Sequence, residues 1–143
     1  MLDPHVYIGP LAVTLGYVLL YYVFQINVAR VKFKLARDHA ARGEKFDRYF
    51  GQDRHMLAAD RSQLNMLEHM PPFLALLWLN AVFVSPSSAT IAGGIYLASR
   101  VVYPLVMGAR LGRGVRGLIA LSTAPGYLVL VWFSGALLYV MFG

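Results

Sequence analysis

The stretch 61-RSQLNMLEHMPPF-73 decides how this chain is read. It places an arginine, an asparagine and a glutamate in the opening turns of an apolar helix, with a proline pair behind them. At 3.6 residues per turn, offsets of four and seven bring Asn65 and Glu68 onto the face of Arg61, each about one turn from the next. Glu68 then lies roughly 10 Å along the axis from Arg61. If this helix spans a bilayer, a lone carboxylate at that depth is costly and marks a site by default.

The rest of the chain says that it does span one. Of 143 residues, 58% are hydrophobic and only 14% charged, whereas a soluble domain carries about 25% charged residues. Mean hydropathy is +0.55. Four stretches reach the ~20 residues that a helix needs to cross ~30 Å of hydrocarbon: residues 6–29, 62–84, 89–109 and 118–142. The expected fold is an all-α integral membrane protein, a single domain built as an antiparallel bundle of four transmembrane helices. Basic loops over 30–61 and 110–117 join the spans, and Pro71-Pro72 should bend the second helix near its basic end. The first span has no basic residues before it and no small-residue cleavage site after it, so it is read as structure and not as a signal peptide. The chain has no cysteine, which excludes disulfides and a protein thiol nucleophile.

The formal charge is +6, and all 13 Lys and Arg fall between Arg30 and Arg61 or between Arg100 and Arg116. The positive-inside rule puts both basic loops in the cytoplasm and both termini outside. Contact with anionic lipid headgroups accounts for the charge of such short, membrane-adjacent loops, and nucleic-acid binding is not expected. His5, His39 and His55 are scattered, and no spacing suggests a metal site.

The third span runs back the other way. Arg100 lies ten residues before Arg110 at its basic end, roughly 15 Å deep, which is also the depth of Glu68. Tyr96, Tyr103 and Met107 follow Arg100 along one helical face. Near this depth three arginines (Arg30, Arg61 and Arg100) face one glutamate, with Asn65 and Gln25 able to donate and accept. An excess of buried positive charge wants an anion, and a small molecule with carboxylates and an amine would suit it. A satisfied Glu68–Arg100 ion pair that only fixes helix register is the structural alternative. His69 points off the polar face and is read as packing.

In order, spacing and depth these residues resemble the MAPEG superfamily, the membrane-associated proteins of eicosanoid and glutathione metabolism. Arg61, Asn65, Glu68 and Pro71-Pro72 are similar to the family signature at the start of its second helix. The segment 99-SRVVYPLVMGARLGRGVR-116 is similar to its third helix and basic loop, and Arg30 matches an arginine closing the first helix. The resemblance implies a homotrimer with cytoplasm-facing cavities between subunits. Glutathione, or a similar small thiol, would bind there as co-substrate through Arg30, Arg61, Asn65, Glu68, Arg100 and Tyr103. Arg116, with Arg113 close behind, would be the catalytic residue that stabilises its thiolate, since a free thiol near pKa 8.5 needs help at neutral pH. That thiolate would attack a lipophilic electrophile, or reduce a hydroperoxide, arriving from the membrane lipid. The chain departs from the pattern at Met107, where many catalytic relatives carry tyrosine, and at His69, where an aromatic residue is common.

Two other function classes fit a four-span chain. A non-catalytic lipid-binding or scaffold protein of the same fold would use the arginines only to grip an anion. A small multidrug exporter would couple a membrane glutamate to protons, but such proteins carry it in the first span, which has no acid after Asp3.

Overall fold

The computed structural model describes residues 3–51, 53–110 and 117–143, with side chains for all of these except 106–110 and 117–122. Four helices make up the fold: α1 (Ile8–Ala41), α2 (Arg54–Phe83), α3 (Pro86–Arg110) and α4 (Gly117–Phe142). A 3-10 turn, Pro4–Tyr7, leads into α1 and is capped by the Asp3 side chain, which accepts from the His5 N–H. Among the described residues there is no strand.

The helix ends follow from local chemistry. α1 stops at Gly43, whose φ of 73° is the left-handed conformation that glycine adopts without a Cβ penalty. Around it the Gly43 N–H donates to the Ala40 carbonyl and the Glu44 N–H to that of His39, the two bonds of a Schellman terminus. α2 opens on Asp53, which accepts from the N–H groups of His55 and Met56. At its far end the Asn80 carbonyl accepts from both Val84 and Ser85, and Pro86 supplies the preset φ that starts α3. In the connection between α1 and α2, Asp47 accepts from the N–H groups of Tyr49 and Phe50. Arg48 forks onto both carboxylate oxygens of Asp60 at 2.9 Å, tying the connection back to α2.

The helices outrun the apolar stretches. α1 continues through Lys32, Lys34 and Arg37 to Ala41, and α2 begins at Arg54. Hydropathy marks where lipid would end, whereas lysine, arginine and alanine keep a helix going in water. With 34 residues α1 is about 51 Å long, well beyond the ~30 Å of a hydrocarbon layer.

Contacts fix an up-down-up-down order. Trp78 Nε1 donates to Thr14 Oγ1 at 3.2 Å, and Tyr17 Oη donates to the Met66 carbonyl at 2.6 Å. As α1 advances, its partners on α2 recede, so the two run antiparallel. Phe73 stacks on Tyr96 with centroids 4.0 Å apart, while Asn65 meets Arg100, so α3 is antiparallel to α2. α4 meets α2 in parallel sense, at His69–Tyr127 and Asn80–Phe133. The core between them is Tyr17, Met66, Phe73, Leu77, Tyr96 and Phe133, all buried. Its centre is a stack of three rings, in which Phe73 lies 5.1 Å from Tyr17 and 4.0 Å from Tyr96.

α2 passes through Pro71 and Pro72 without ending. Neither has an N–H, so the carbonyls of Leu67 and Glu68 lose their usual donors four residues on. A membrane helix carries such breaks where neighbouring elements support it, and here Tyr17 on α1 holds the Met66 carbonyl just before them. Three of the described helices, Pro4–Ala41, Arg54–Phe83 and Thr123–Phe142, are long and apolar enough to cross a membrane. α3, which carries Arg100, completes the bundle against α1, α2 and α4.

Candidate functional site

α2 and α3 cross at the level of Asn65, and that crossing builds the site. Arg100 is 1% exposed, the largest of the fully buried side chains. Its Nη1 donates to Asn65 Oδ1 at 2.6 Å, and its Cζ stands 4.9 Å from the centroid of the Tyr96 ring, in cation–π range. Among the described residues, Nε and Nη2 of the same guanidinium have no partner, and neither does the buried Tyr96 Oη. Among the described residues no carboxylate pairs with Arg100: the ion pairs there join Glu44 to His39 and Arg42, and Asp60 to Arg48.

A guanidinium fits here because α4 makes room for it. A Cβ built on Gly126 would collide with Arg100 Nη2 and come within 3.1 Å of Ser99 Oγ. Glycine at this one position lets the α4 backbone close over the arginine. The next residue, Tyr127, lays its ring edge-on to His69 of α2 at 5.4 Å.

Tyr103, one turn beyond Arg100, is buried at 8% exposure, and its phenol feels the charges of Arg100, Arg61 and Glu68. Arg61 and Glu68 themselves are exposed. The structure therefore brings together five of the residues singled out by spacing: Arg61, Asn65, Glu68, Arg100 and Tyr103. Within the cluster the close partner of Arg100 is Asn65 and not Glu68, although the carboxylate stands at a similar depth. Arg30 is exposed on α1. Arg113 and Arg116 lie outside the described residues, as does the side chain of Met107.

Sequence reading missed the contribution of α4. Gly126 and Tyr127 neighbour Arg100 and His69, and the signal was present in Pro125-Gly126-Tyr127, which reads as helix punctuation when α4 is taken alone. Beside the cluster, at the basic end, a polar crevice of about 430 Å³ opens between α1, α2 and α3, lined by Asn27, Arg54, His55, Ser62 and Pro104. On the opposite side of the α3–α4 pair runs an apolar groove of about 460 Å³, walled by Ile91, Ile95, Leu128 and Trp132. Among the described residues no group of His, Asp or Glu could hold a metal ion.

Chemically the cluster is a desolvated cation with spare donors, a second arginine and a carboxylate at its mouth, and phenols above and below. Such a site recognises an anion with fixed geometry and a positive group at short distance.

Comparison with known proteins agrees with that composition. An uncharacterised protein of Synechocystis sp. is 33% identical over 96 residues, covering 66% of this chain and 63% of that protein. Leukotriene C4 synthase of Bos taurus is 32% identical over 94 residues, 64% of this chain and 56% of its own length. Microsomal glutathione S-transferase 2 of Bos taurus is 29% identical over 117 residues, 76% of this chain and 73% of its own. The chain thus spans rather less than two thirds of the first two relatives. The profile of the MAPEG family matches residues 10–139, which takes in all four helices and the whole cluster. With its long apolar helices, the chain is an integral membrane protein and belongs to the MAPEG family.

Proposed function

We propose that this protein is a glutathione-dependent transferase or peroxidase of the membrane, which activates the thiol of glutathione against a lipophilic electrophile or hydroperoxide. One observation carries the reading: Arg100 is buried, bonded to a neutral amide, and among the described residues has two nitrogens without a partner. A buried cation left in that state is destabilising unless an anion completes it. Glutathione offers two carboxylates for the arginines and an amine for Glu68. The name of one relative, microsomal glutathione S-transferase 2, points to the same co-substrate.

In this reading Arg61 grips one carboxylate in a forked pair, Asn65 and Arg100 hold the peptide at depth, Glu68 takes the ammonium, and Tyr103 donates from above. Arg30 is exposed on α1, and in a homotrimer it would complete the cavity of a neighbouring subunit. Arg116, with Arg113 beside it, would stabilise the thiolate. The charge asymmetry supports a cytoplasmic position for the site and both basic loops, with both termini outside.

The test is an ultraviolet difference spectrum on adding glutathione near neutral pH. The chain has no cysteine, so thiolate absorbance comes from the ligand alone. A saturable band that weakens in Arg61→Ala and Glu68→Gln and disappears in Arg116→Ala is the expected result. Absence of the band at saturating glutathione sinks the reading. It would favour instead a non-catalytic lipid binder, the alternative that the apolar α3–α4 groove supports, since that groove could take an acyl chain.

A further inference from the structure

The acyl or aryl partner of a thiolate usually leaves an oxygen that needs a proton, and α4 presents an exposed phenol beside the cluster. We infer that Tyr127 is the proton donor to the lipophilic co-substrate, with His69 positioning its ring; the inference rests on the glutathione reading above. Two contacts fix Tyr127 against the site. The residue before it, Gly126, is pressed onto the Arg100 guanidinium. Its own ring meets the His69 ring at 5.4 Å with planes 71° apart. His69 is half-buried and adjoins Glu68 in sequence.

The other face of Tyr127 is open. The residue is 53% exposed, and Val131, one turn on, is 69% exposed and apolar. The phenol therefore stands between the polar cluster and an exposed apolar face of α4. Tyr96 lies under the Arg100 guanidinium, Tyr103 is one turn beyond it and Tyr127 follows Gly126, so three phenols neighbour Arg100. Tyr103 and Tyr96 are buried, so Tyr127 is the member of this trio that a molecule from the bilayer reaches without opening the bundle.

The step balances with a hydroperoxide. The glutathione thiolate attacks the terminal oxygen, a sulfur–oxygen bond forms and the oxygen–oxygen bond breaks, so sulfur loses two electrons and the peroxide gains them. The products are the sulfenic acid of glutathione and an alkoxide, which takes the phenolic proton of Tyr127 and leaves as the alcohol. Solvent then returns the proton to the phenolate, and a second glutathione condenses with the sulfenic acid to give the disulfide and water.

Tyr127→Phe keeps the ring, its packing on His69 and the clearance at Gly126, and removes only the hydroxyl. Two reactions are compared in native and variant protein: reduction of a tertiary alkyl hydroperoxide, which needs the proton, and displacement of chloride from a chlorodinitrobenzene, which does not. General acid catalysis is worth about 10²- to 10⁴-fold, so hydroperoxide turnover should fall by about 10²-fold or more while chloride displacement and the thiolate band stay as in the native protein. His69→Gln, which frees the phenol from its ring contact, should lower hydroperoxide kcat with little change in the KM for glutathione. Equal loss in both reactions would make Tyr127 a packing residue and overturn the inference, and so would unchanged hydroperoxide turnover. A native protein with a thiolate band but no hydroperoxide turnover overturns it too, whereas a native protein without the band fails one level earlier, at the glutathione reading.

Discussion

The two halves of α2 bury polar groups in opposite ways. Beyond the prolines, the buried amide of Asn80 donates to the Leu76 carbonyl and, across the bundle, to the Phe133 carbonyl of α4. Trp78 on the same half finds Thr14. Before the prolines, Asn65 spends its oxygen on Arg100 and leaves the rest of that guanidinium unanswered. Each half leaves something unmet, since Asn80 Oδ1 also lacks a partner. The quantities differ greatly: one neutral acceptor is a small cost in a helix bundle, but an unneutralised cation is a large one. The far half uses polarity to hold helices together, and the basic half holds a cation in wait for something else.

The strongest way to break that contrast is Arg100→Met. If Arg100 serves binding and not the fold, glutathione affinity should fall about 100-fold, as expected from losing charge-assisted hydrogen bonds of ~1.5–3 kcal/mol. The unfolding temperature in detergent should stay level or rise, because a desolvated charge is gone. A drop in stability with unchanged affinity would reverse the assignment. Next comes Gly126→Ala, whose methyl group displaces Arg100 Nη2. Overpacking costs ~1–3 kcal/mol, so affinity should fall roughly tenfold together with a lowered unfolding temperature. A variant that binds and melts as the native protein does would show that α4 does not confine the arginine.

Asn80→Ala probes the other half. It should lower stability by about 1 kcal/mol, the scale of a helix–helix hydrogen bond in a membrane, and leave glutathione affinity alone; calorimetric titration beside thermal unfolding separates the two. The smallest effect is expected outside both halves, at Asp47. The N–H groups of Phe50 and Tyr49 hold its carboxyl below the usual range. A depressed pKa means that the ordered turn is favoured at neutral pH and released only as pH falls through that lowered value. Asp47→Ala should expose the turn at neutral pH, read as faster proteolytic cleavage at Tyr49 and Phe50, with the bundle's melting unchanged.

Much of this contrast was legible in residue spacing. Arg61, Asn65 and Glu68 had to share a face because helical geometry leaves no choice, and the shared depth of Arg100 followed from counting back along α3. What counting could not choose was the partner. Asn65 and Glu68 differ by less than one turn, and a small rotation of α3 decides between amide and carboxylate. The extent of the helices was hidden for another reason: hydropathy falls away at Arg30, but backbone hydrogen bonds continue to Ala41. The role of α4 was hidden because it lies in a missing side chain. Gly126 matters through the space it leaves, and that space has an owner only once α3 is beside it.

The overhang of α1 gives the molecule a handle. From Arg30 to Ala41 the helix adds roughly 18 Å, more than the ~5–8 Å of a headgroup layer. The connection to α2 therefore stands clear of lipid, anchored by the Arg48–Asp60 fork. At its start, nothing lies within 4 Å of where a Gly43 side chain would begin. A short epitope or protease site inserted after Gly43 should be accepted without disturbing the bundle, and its accessibility from one side of sealed vesicles would report which compartment the basic end faces.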